Sequence, residues 1–404
     1  KIFSSMAQLF NEGQEIDTVS IVNQLKKNKK LESVGGAYYI TGLVDSVPSV
    51  ANVENYAKIV LEKAMLRQLI MISHSLSKDA YDASQGVDEL LDQAEQSIFS
   101  ISQRRLRGGF QHIDPILHET FEKLDQIHSR SGDVTGIASG LVDLDELTSG
   151  FQPGELIIIA GRPAMGKTAL ALSMARNAAV DYGHSVGIFS LEMANHQLAL
   201  RLLCAEAKVD SHLVRTGKLP KRQWQNLSVS VGILAEAAIY LDDTPAISVL
   251  ELRAKARRLK AEHNIDILIV DYLQLMSGPK GAESRQQEIS TISRSLKALA
   301  KELDIPVIAL SQLSRAVEQR SEHRPQLSDL RESGAIEQDA DLVIFLYRQW
   351  IYTQEDEDRG KAKIIVAKHR NGPTGTLDAA FIDRFARFEN YSAIGDEMGT
   401  KVPF

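Results

Sequence analysis

Gly161-Arg162-Pro163-Ala164-Met165-Gly166-Lys167-Thr168 sits inside PGELIIIAGRPAMGKTALAL, Pro153 to Leu172. The spacing is G-x-x-x-x-G-K-[ST], the pattern of a phosphate-binding loop. The two glycines let the backbone curl so that successive N–H groups point inward at phosphate oxygens. A helix starting near Gly166 adds its positive end. Lys167 brings a point charge for β and γ phosphates, and the Thr168 hydroxyl is a Mg²⁺ ligand. Average composition yields this pattern by chance about 0.01 times in a chain this long. The flanks also fit. Glu155–Ala160 reads as a strand buried on both faces, and Thr168–Val180 as a helix closing at Gly183.

The chain has 404 residues, 44% hydrophobic and 25% charged, with net charge −7. That is a globular profile long enough for two or three domains. It excludes a wholly basic nucleic-acid coat but permits a basic groove. No apolar run reaches membrane-spanning length, so no membrane association is expected. The one cysteine, Cys204, excludes an intrachain disulfide, agrees with a reducing compartment, and reads as a buried thiol in LALRLLCAEA. The chain opens on Lys1 inside an apparent helix, IFSSMAQLF, so a preceding piece is expected.

Residues 1–103 read as a helical domain. Asp17 caps a helix over Thr18–Lys27, and the lysines at 26, 27, 29 and 30 form a solvated helix end. Gly35-Gly36 breaks the chain. Helices are expected at about Asn52–Tyr81 and Val87–Ser102. Residues 104–133 read as a linker carrying a helix over Asp114–His128, opened by Asp114-Pro115. Its stripe of Ile116, Leu117, Phe121, Leu124 and Ile127 needs a surface to cover it. From Val134 to Phe404 strands alternate with helices, the pattern of an α/β fold built on a mostly parallel sheet. Strands are expected at Glu155–Ala160, Val186–Ser190, Ile239–Leu241, Ile267–Val270, Val307–Leu310, Leu342–Leu346, Ile364–Ala367 and Leu377–Ile382, with a basic helix at Val249–His263.

Ligands of such sheets bind at the carboxyl ends of strands. Ile267–Val270 ends in Asp271, either a carboxylate for the Mg²⁺ shell or a turn cap. Val186–Ser190 leads to Glu192, either a base that activates water or a glutamate favoured by the next helix dipole. Val307–Leu310 leads to Gln312, either a γ-phosphate sensor or a solvated loop residue. Ile364–Ala367 leads to Lys368-His369-Arg370-Asn371-Gly372, too far across the sheet for its own phosphate loop. That cluster is either a charged surface turn or an arginine finger for a neighbour. Two loops are rich in glycine and cations: 276–288, with Lys280 and Arg285, and 313–334, with Arg315, Arg320, Arg324 and Arg331. Such loops suit phosphate-backbone contacts as well as plain solubility. Few aromatics interleave them, so base stacking is not indicated.

GRPAMGKTALAL, FSLEM, ILIVDYLQLM, VIALSQLSR, DLRESGAIEQDADLVIFLYR and KHRNGPTG, in that order, resemble the bacterial replicative DNA helicase family, the DnaB family, across about residues 131–390. GGAYYITGLVDSVPSVANVENYAKIV resembles that family's helical N-terminal domain. The resemblance implies a RecA-like P-loop ATPase core preceded by an all-α domain, a homohexameric ring around single-stranded DNA, and ATP with Mg²⁺ between subunits. It implies 5′ to 3′ unwinding at the replication fork, with primase and a helicase loader as partners and a cytoplasmic location. By motif, Gly161, Ala164, Gly166, Lys167, Thr168 and Ala169 cradle the nucleotide, and Thr168 and Asp271 serve the metal. Glu192 is the base, Gln312 the sensor, Lys368 and Arg370 act in trans, and Arg331, Glu332 and Gly334 contact DNA. The linker helix would dock on the adjacent subunit. Two other readings are a RecA-like recombination ATPase forming open filaments and a non-hydrolysing scaffold. The helical domain and docking helix favour a ring, and retention of Glu192 and Arg370 favours turnover.

Overall fold

The computed structural model describes residues 1–45, 53–82, 134–278 and 284–391, with isolated positions between 86 and 121. At 331–335 it describes the backbone alone. Most of the expected helices Val87–Ser102 and Asp114–His128 therefore lie outside the described residues, as do Lys280 and Gly281. Contacts divide the chain into two units, Lys1–Gln111 and His112–Phe404.

The first unit is helical. It holds α1 (Ile2–Asn11), α2 (Thr18–Lys27), α3 (Gly36–Asp45) and α4 (Val53–Asp82). Asp17 caps α2 as expected, and Ser20 answers it. The Ser20 N–H donates to Asp17 Oδ1 at 2.6 Å, and the Asp17 N–H donates to Ser20 Oγ at 2.9 Å. The reciprocal pair satisfies two orphan donors and fixes where the helix starts. Leu9, Ile21, Leu25 and Ile40 close a small core. In contrast, α4 leaves Val60, Leu61, Leu66 and Ile70 exposed.

The second unit is built on a nine-stranded sheet in the order β3-β2-β4-β5-β1-β6-β7-β8-β9. The parallel strands are β1 (Leu156–Gly161), β2 (Val186–Ser190), β3 (Ile239–Asp242), β4 (Ile267–Asp271), β5 (Val307–Gln312) and β6 (Leu342–Tyr347). Three antiparallel strands extend one edge: β7 (Lys361–His369), β8 (Gly375–Ile382) and β9 (Arg387–Asn390). The main helices are α5 (Val142–Thr148), α6 (Lys167–Arg176), α7 (Asn195–Ala207), α8 (Ser211–Arg215), α9 (Lys221–Glu236), α10 (Val249–His263) and α11 (Arg285–Leu303). Short α12 (Gly334–Asp339) and α13 (Trp350–Thr353) flank β6. Strand side chains alternate between two cores. Ile157, Ile159, Ile308 and Leu310 join the core that α6 packs on. Leu156, Ile158, Val307 and Ala309 join the core beneath α10 and α11. Both faces of the parallel strands are thus covered, which is why they read as unbroken apolar runs.

Two sequence expectations need correction. The continuous helix to Val180 ends instead in a π-helical turn at Asn177–Asp181. The sheet's last edge is antiparallel, and β9 was not expected at all; four residues, RFEN, carry too little pattern to stand out. As expected of Lys368 and Arg370, the carboxyl end of β7 is remote from the phosphate loop: His369 pairs with Leu342 at the start of β6, opposite the carboxyl ends of the parallel strands.

Candidate active site

The phosphate loop leaves β1 and enters α6 between β5 and β6. Gly166 has φ +95°, and a Cβ there would lie 3.3 Å from the Phe388 ring. The positive φ favours glycine strongly, and the close ring adds to it. Ala164 also sits in the left-handed region, at φ +67°, which costs an alanine about 1–2 kcal/mol. Its carbonyl accepts from Arg348 Nη1 at 3.3 Å. Arg348 is buried, donates Nη2 to Asp383 Oδ1 at 2.8 Å, and lies over the Phe381 ring at 3.9 Å. Burial lowers its pKa against the pull of Asp383.

At the foot of the loop the Thr168 hydroxyl donates to Asp271 Oδ2 at 2.7 Å. Lys167 Nζ donates to the Gly161 carbonyl at 3.0 Å and approaches the Arg162 carbonyl at 3.4 Å. Burial lowers the Lys167 pKa, while Asp271 and Glu192 oppose the shift and Arg162 adds to it. Asp271 is buried, and that burial pushes its pKa up; Glu192 adds to the rise, whereas Thr168, Lys167 and Arg201 counter it. Two carboxylates and an ammonium therefore share one field.

These groups line a cleft of about 710 Å³. It holds Ala164, Gly166, Lys167, Thr168 and Ala169 from the loop, Glu192 after β2, Asp271 after β4 and Gln312 after β5. Gly161 forms the floor strand's last residue, paired with Gln312. The predicted nucleotide set is thus brought together. Sequence reasoning missed the rest of the wall: Arg201 from α7, His212 and Arg215 from α8, and Phe381 and Phe385 at the β8–β9 turn. It also missed Gln274, whose Nε2 donates to Ser311 Oγ at 2.9 Å and to the Gln312 carbonyl at 3.2 Å, pinning the backbone at the end of β5.

The donor set suits Mg²⁺. Thr168 and Asp271 offer a hydroxyl and a carboxylate oxygen beside an ammonium, and a small hard cation takes one or two protein oxygens plus phosphates and water. The 710 Å³ cleft is large enough for a nucleoside triphosphate.

Lys368 and Arg370 are not in this cleft. Lys368 Nζ donates to the carbonyls of Glu337 at 2.5 Å and Ala340 at 2.7 Å. Arg370 donates to Asp341 Oδ1 at 3.3 Å and to the Gln338 carbonyl at 2.5 Å. Both sit at the opposite strand edge, in line with the expectation that they do not reach their own phosphate loop. Of Arg331, Glu332 and Gly334 the structure describes the backbone alone. Of the other loop cations, Arg320 pairs with buried Asp329, Arg324 donates to Thr376 Oγ1 at 2.8 Å, and Arg285 pairs with Glu288. Arg315 is exposed.

Fold and cleft together define a P-loop nucleotide hydrolase with a RecA-like core. The family description "DnaB-like helicase C terminal domain" matches residues 136–390, and "DnaB-like helicase N terminal domain" matches residues 1–62. The chain is 48% identical to the replicative DNA helicase DnaB of Geobacillus stearothermophilus, covering 98% of this chain and 88% of that protein. It is 47% identical to the replicative DNA helicase DnaC of Bacillus subtilis, over 99% of this chain and 88% of the relative. Among solved structures, a DnaB-like replicative helicase studied with its primase interactions superposes with TM-score 0.78 at 36% identity, covering 96% of this chain and 91% of that one. A second solved structure, an isolated ATPase domain, gives TM-score 0.67 at 40% identity, over 70% of this chain and 100% of that domain. The chain belongs to the DnaB-like family of replicative DNA helicases, which are ATP-dependent enzymes.

Proposed function

We propose that this chain assembles as a homohexameric ring around single-stranded DNA and unwinds the duplex 5′ to 3′ at the replication fork. In this reading Lys167 and the loop amides bind the triphosphate, and Glu192 accepts a proton from the attacking water. Gln312 reports the γ phosphate to the loop that follows it. Arg331, Glu332 and Gly334 in that loop meet the DNA backbone. Mg²⁺, held through Thr168 and Asp271, would neutralise charge developing on the β and γ oxygens. Lys368 and Arg370 complete a neighbour's site. The one observation that carries the shared site is the place of Arg370, at the strand edge opposite its own cleft. Asp341 keeps Lys297 Nζ at 2.5 Å and the Leu156 N–H at 2.8 Å whether or not Arg370 stays, so release of the guanidinium leaves no orphaned carboxylate.

Primase and a helicase loader are the proposed protein partners, and the cytoplasm the proposed location. The primase reading rests on the solved relative studied with primase. Among the described residues no helix is long and apolar enough to cross a membrane.

Mixing Glu192→Ala with Arg370→Ala tests the shared site. Each alone should lose ATP hydrolysis by about 100-fold or more. The mixture should regain part of it, since some interfaces pair an intact Glu192 with an intact Arg370. Normal turnover by Arg370→Ala alone would place the whole active site within one subunit.

A further inference from the structure

Arg162 belongs to the phosphate-binding loop, yet its side chain does not line the cleft. It is largely buried against the exit of β5. Its Nε and Nη2 donate to Glu318 Oε1 at 2.9 and 2.6 Å, and its Nη1 donates to the Leu313 carbonyl at 2.8 Å. The Leu313 N–H in turn donates to the Gly161 carbonyl at 3.3 Å. The first two residues of the phosphate loop therefore grip both sides of Leu313. Lys167 Nζ rests on those same two residues, through the carbonyls of Gly161 and Arg162.

We infer that Arg162 is a positioning residue that carries nucleotide occupancy from the phosphate loop, through Glu318, to the whole 313–334 loop. When Lys167 turns to a phosphate, it leaves the Gly161 and Arg162 carbonyls. The backbone that holds Leu313 is then released from its cation, and the Arg162 guanidinium takes the change to Glu318. From there the loop moves as one piece, because it is braced internally. The Ser314 N–H donates to the Asp329 carbonyl at 3.1 Å, and buried Asp329 also receives the Gln326 N–H and the Arg320 guanidinium. His323 stacks on Tyr352 at 4.2 Å, and Tyr347 Oη donates to the Glu322 carbonyl at 3.0 Å, giving the piece a fixed pivot at the end of β6. The route meets that of Gln312 at Leu313, the next residue, so both reach the loop through the grip of Arg162 on Leu313 and Glu318. It rests on the reading of residues 331–334 as the DNA contact only for its mechanical consequence.

The test uses the full chain. Amide hydrogen exchange over 313–330 is measured with and without a non-hydrolysable ATP analogue, in wild type, Glu318→Gln, Glu318→Ala and the swap Arg162→Glu with Glu318→Arg. Glu318 is half-exposed and outside the cleft, so basal ATP turnover without DNA should stay near wild type in its single variants. The analogue should change exchange in wild type by about five-fold or more. That response should vanish in Glu318→Ala, fall in Glu318→Gln, and partly return in the swap. A wild-type response in Glu318→Ala overturns the inference. A second readout is the ratio of single-stranded DNA affinities with analogue and with ADP, which should approach one in Glu318→Ala. If Arg331→Ala leaves DNA affinity unchanged, the DNA-contact reading fails, while the exchange result still decides the coupling.

Discussion

Lys167 holds a charge in a place that disfavours it, and the consequence is measurable. Burial lowers its pKa, so the folded chain penalises the ammonium. The penalty is present while the group is charged and fades as pH rises through the lowered value toward that of unfolded lysine. Lys167→Met should therefore melt at or above the wild-type temperature at pH 7 without nucleotide, with the gap narrowing at higher pH. The same variant should lose ATP hydrolysis by about 100-fold or more. A variant that melts well below wild type would mean the two carbonyl contacts of Lys167 outweigh its burial. Arg348 is also a cation whose pKa burial lowers, but it braces a strained turn. Arg348→Ala removes the group that holds Ala164 at φ +67° and strips Asp383 of its guanidinium. It should cost about 2–3 kcal/mol by chemical denaturation and raise KM for ATP more than it lowers kcat. Arg348→Lys should recover little, since an ammonium cannot span Ala164, Asp383 and the Phe381 face at once. The phosphate loop, Glu192 and Asp271 were legible because the strand-end rule is local. Arg348 was missed, although it directly follows the strand ending Phe345-Leu346-Tyr347. What hid it is that its role is indirect: it touches the loop's backbone, not the ligand. Arg201 and Arg215 had no local signal, because α7 and α8 reach the cleft only through tertiary packing.

At the scale of elements, the parallel strands announced themselves because each is buried on both faces. The reversal at β7 did not, since one strand's direction is set by the length and path of its connection and not by its own residues. The capping residues Asp17, Ser248 and Ser284 mark where α2, α10 and α11 begin, each accepting a backbone N–H. The linker helix is a different problem. Its described positions Leu117 and Phe121 are exposed, and so are Trp224, Val229 and Val231 on α9. Two exposed apolar faces in one chain fit a contact between copies, the linker helix of one subunit on α9 of the next. Burying one phenylalanine contributes about 2–3 kcal/mol, and a closed ring repeats it at every interface. If the chain forms the proposed hexamer, Phe121→Asp should convert it to smaller species in analytical ultracentrifugation. ATP turnover should fall with it if, as proposed, Arg370 serves a neighbour's site. A hexamer of unchanged sedimentation would remove the linker helix from the assembly contacts.

The whole molecule carries cores of very different size. Among its described residues the first unit closes on four buried apolar side chains, Leu9, Ile21, Leu25 and Ile40. The second has two extensive cores on either face of its sheet. A small core offsets little more than its own conformational entropy, so the first unit should melt early and separately. The proposed nucleotide cleft lies in the second unit, and ligand binding stabilises only the state that binds it. Differential scanning calorimetry of the full chain should then show two transitions. A non-hydrolysable analogue with Mg²⁺ at about 100 times its Kd adds about 2.7 kcal/mol to the second. For a domain of this size that raises its Tm by about 4–5 °C, while the first transition stays in place. Omitting Mg²⁺ should remove most of the shift, because Thr168 and Asp271 would then face the phosphates without the cation between them. One transition moving as a whole would show that the helical unit is not an independent cooperative unit. Its exposed α4 would then have to be covered within the assembly in which the ATPase unit itself unfolds.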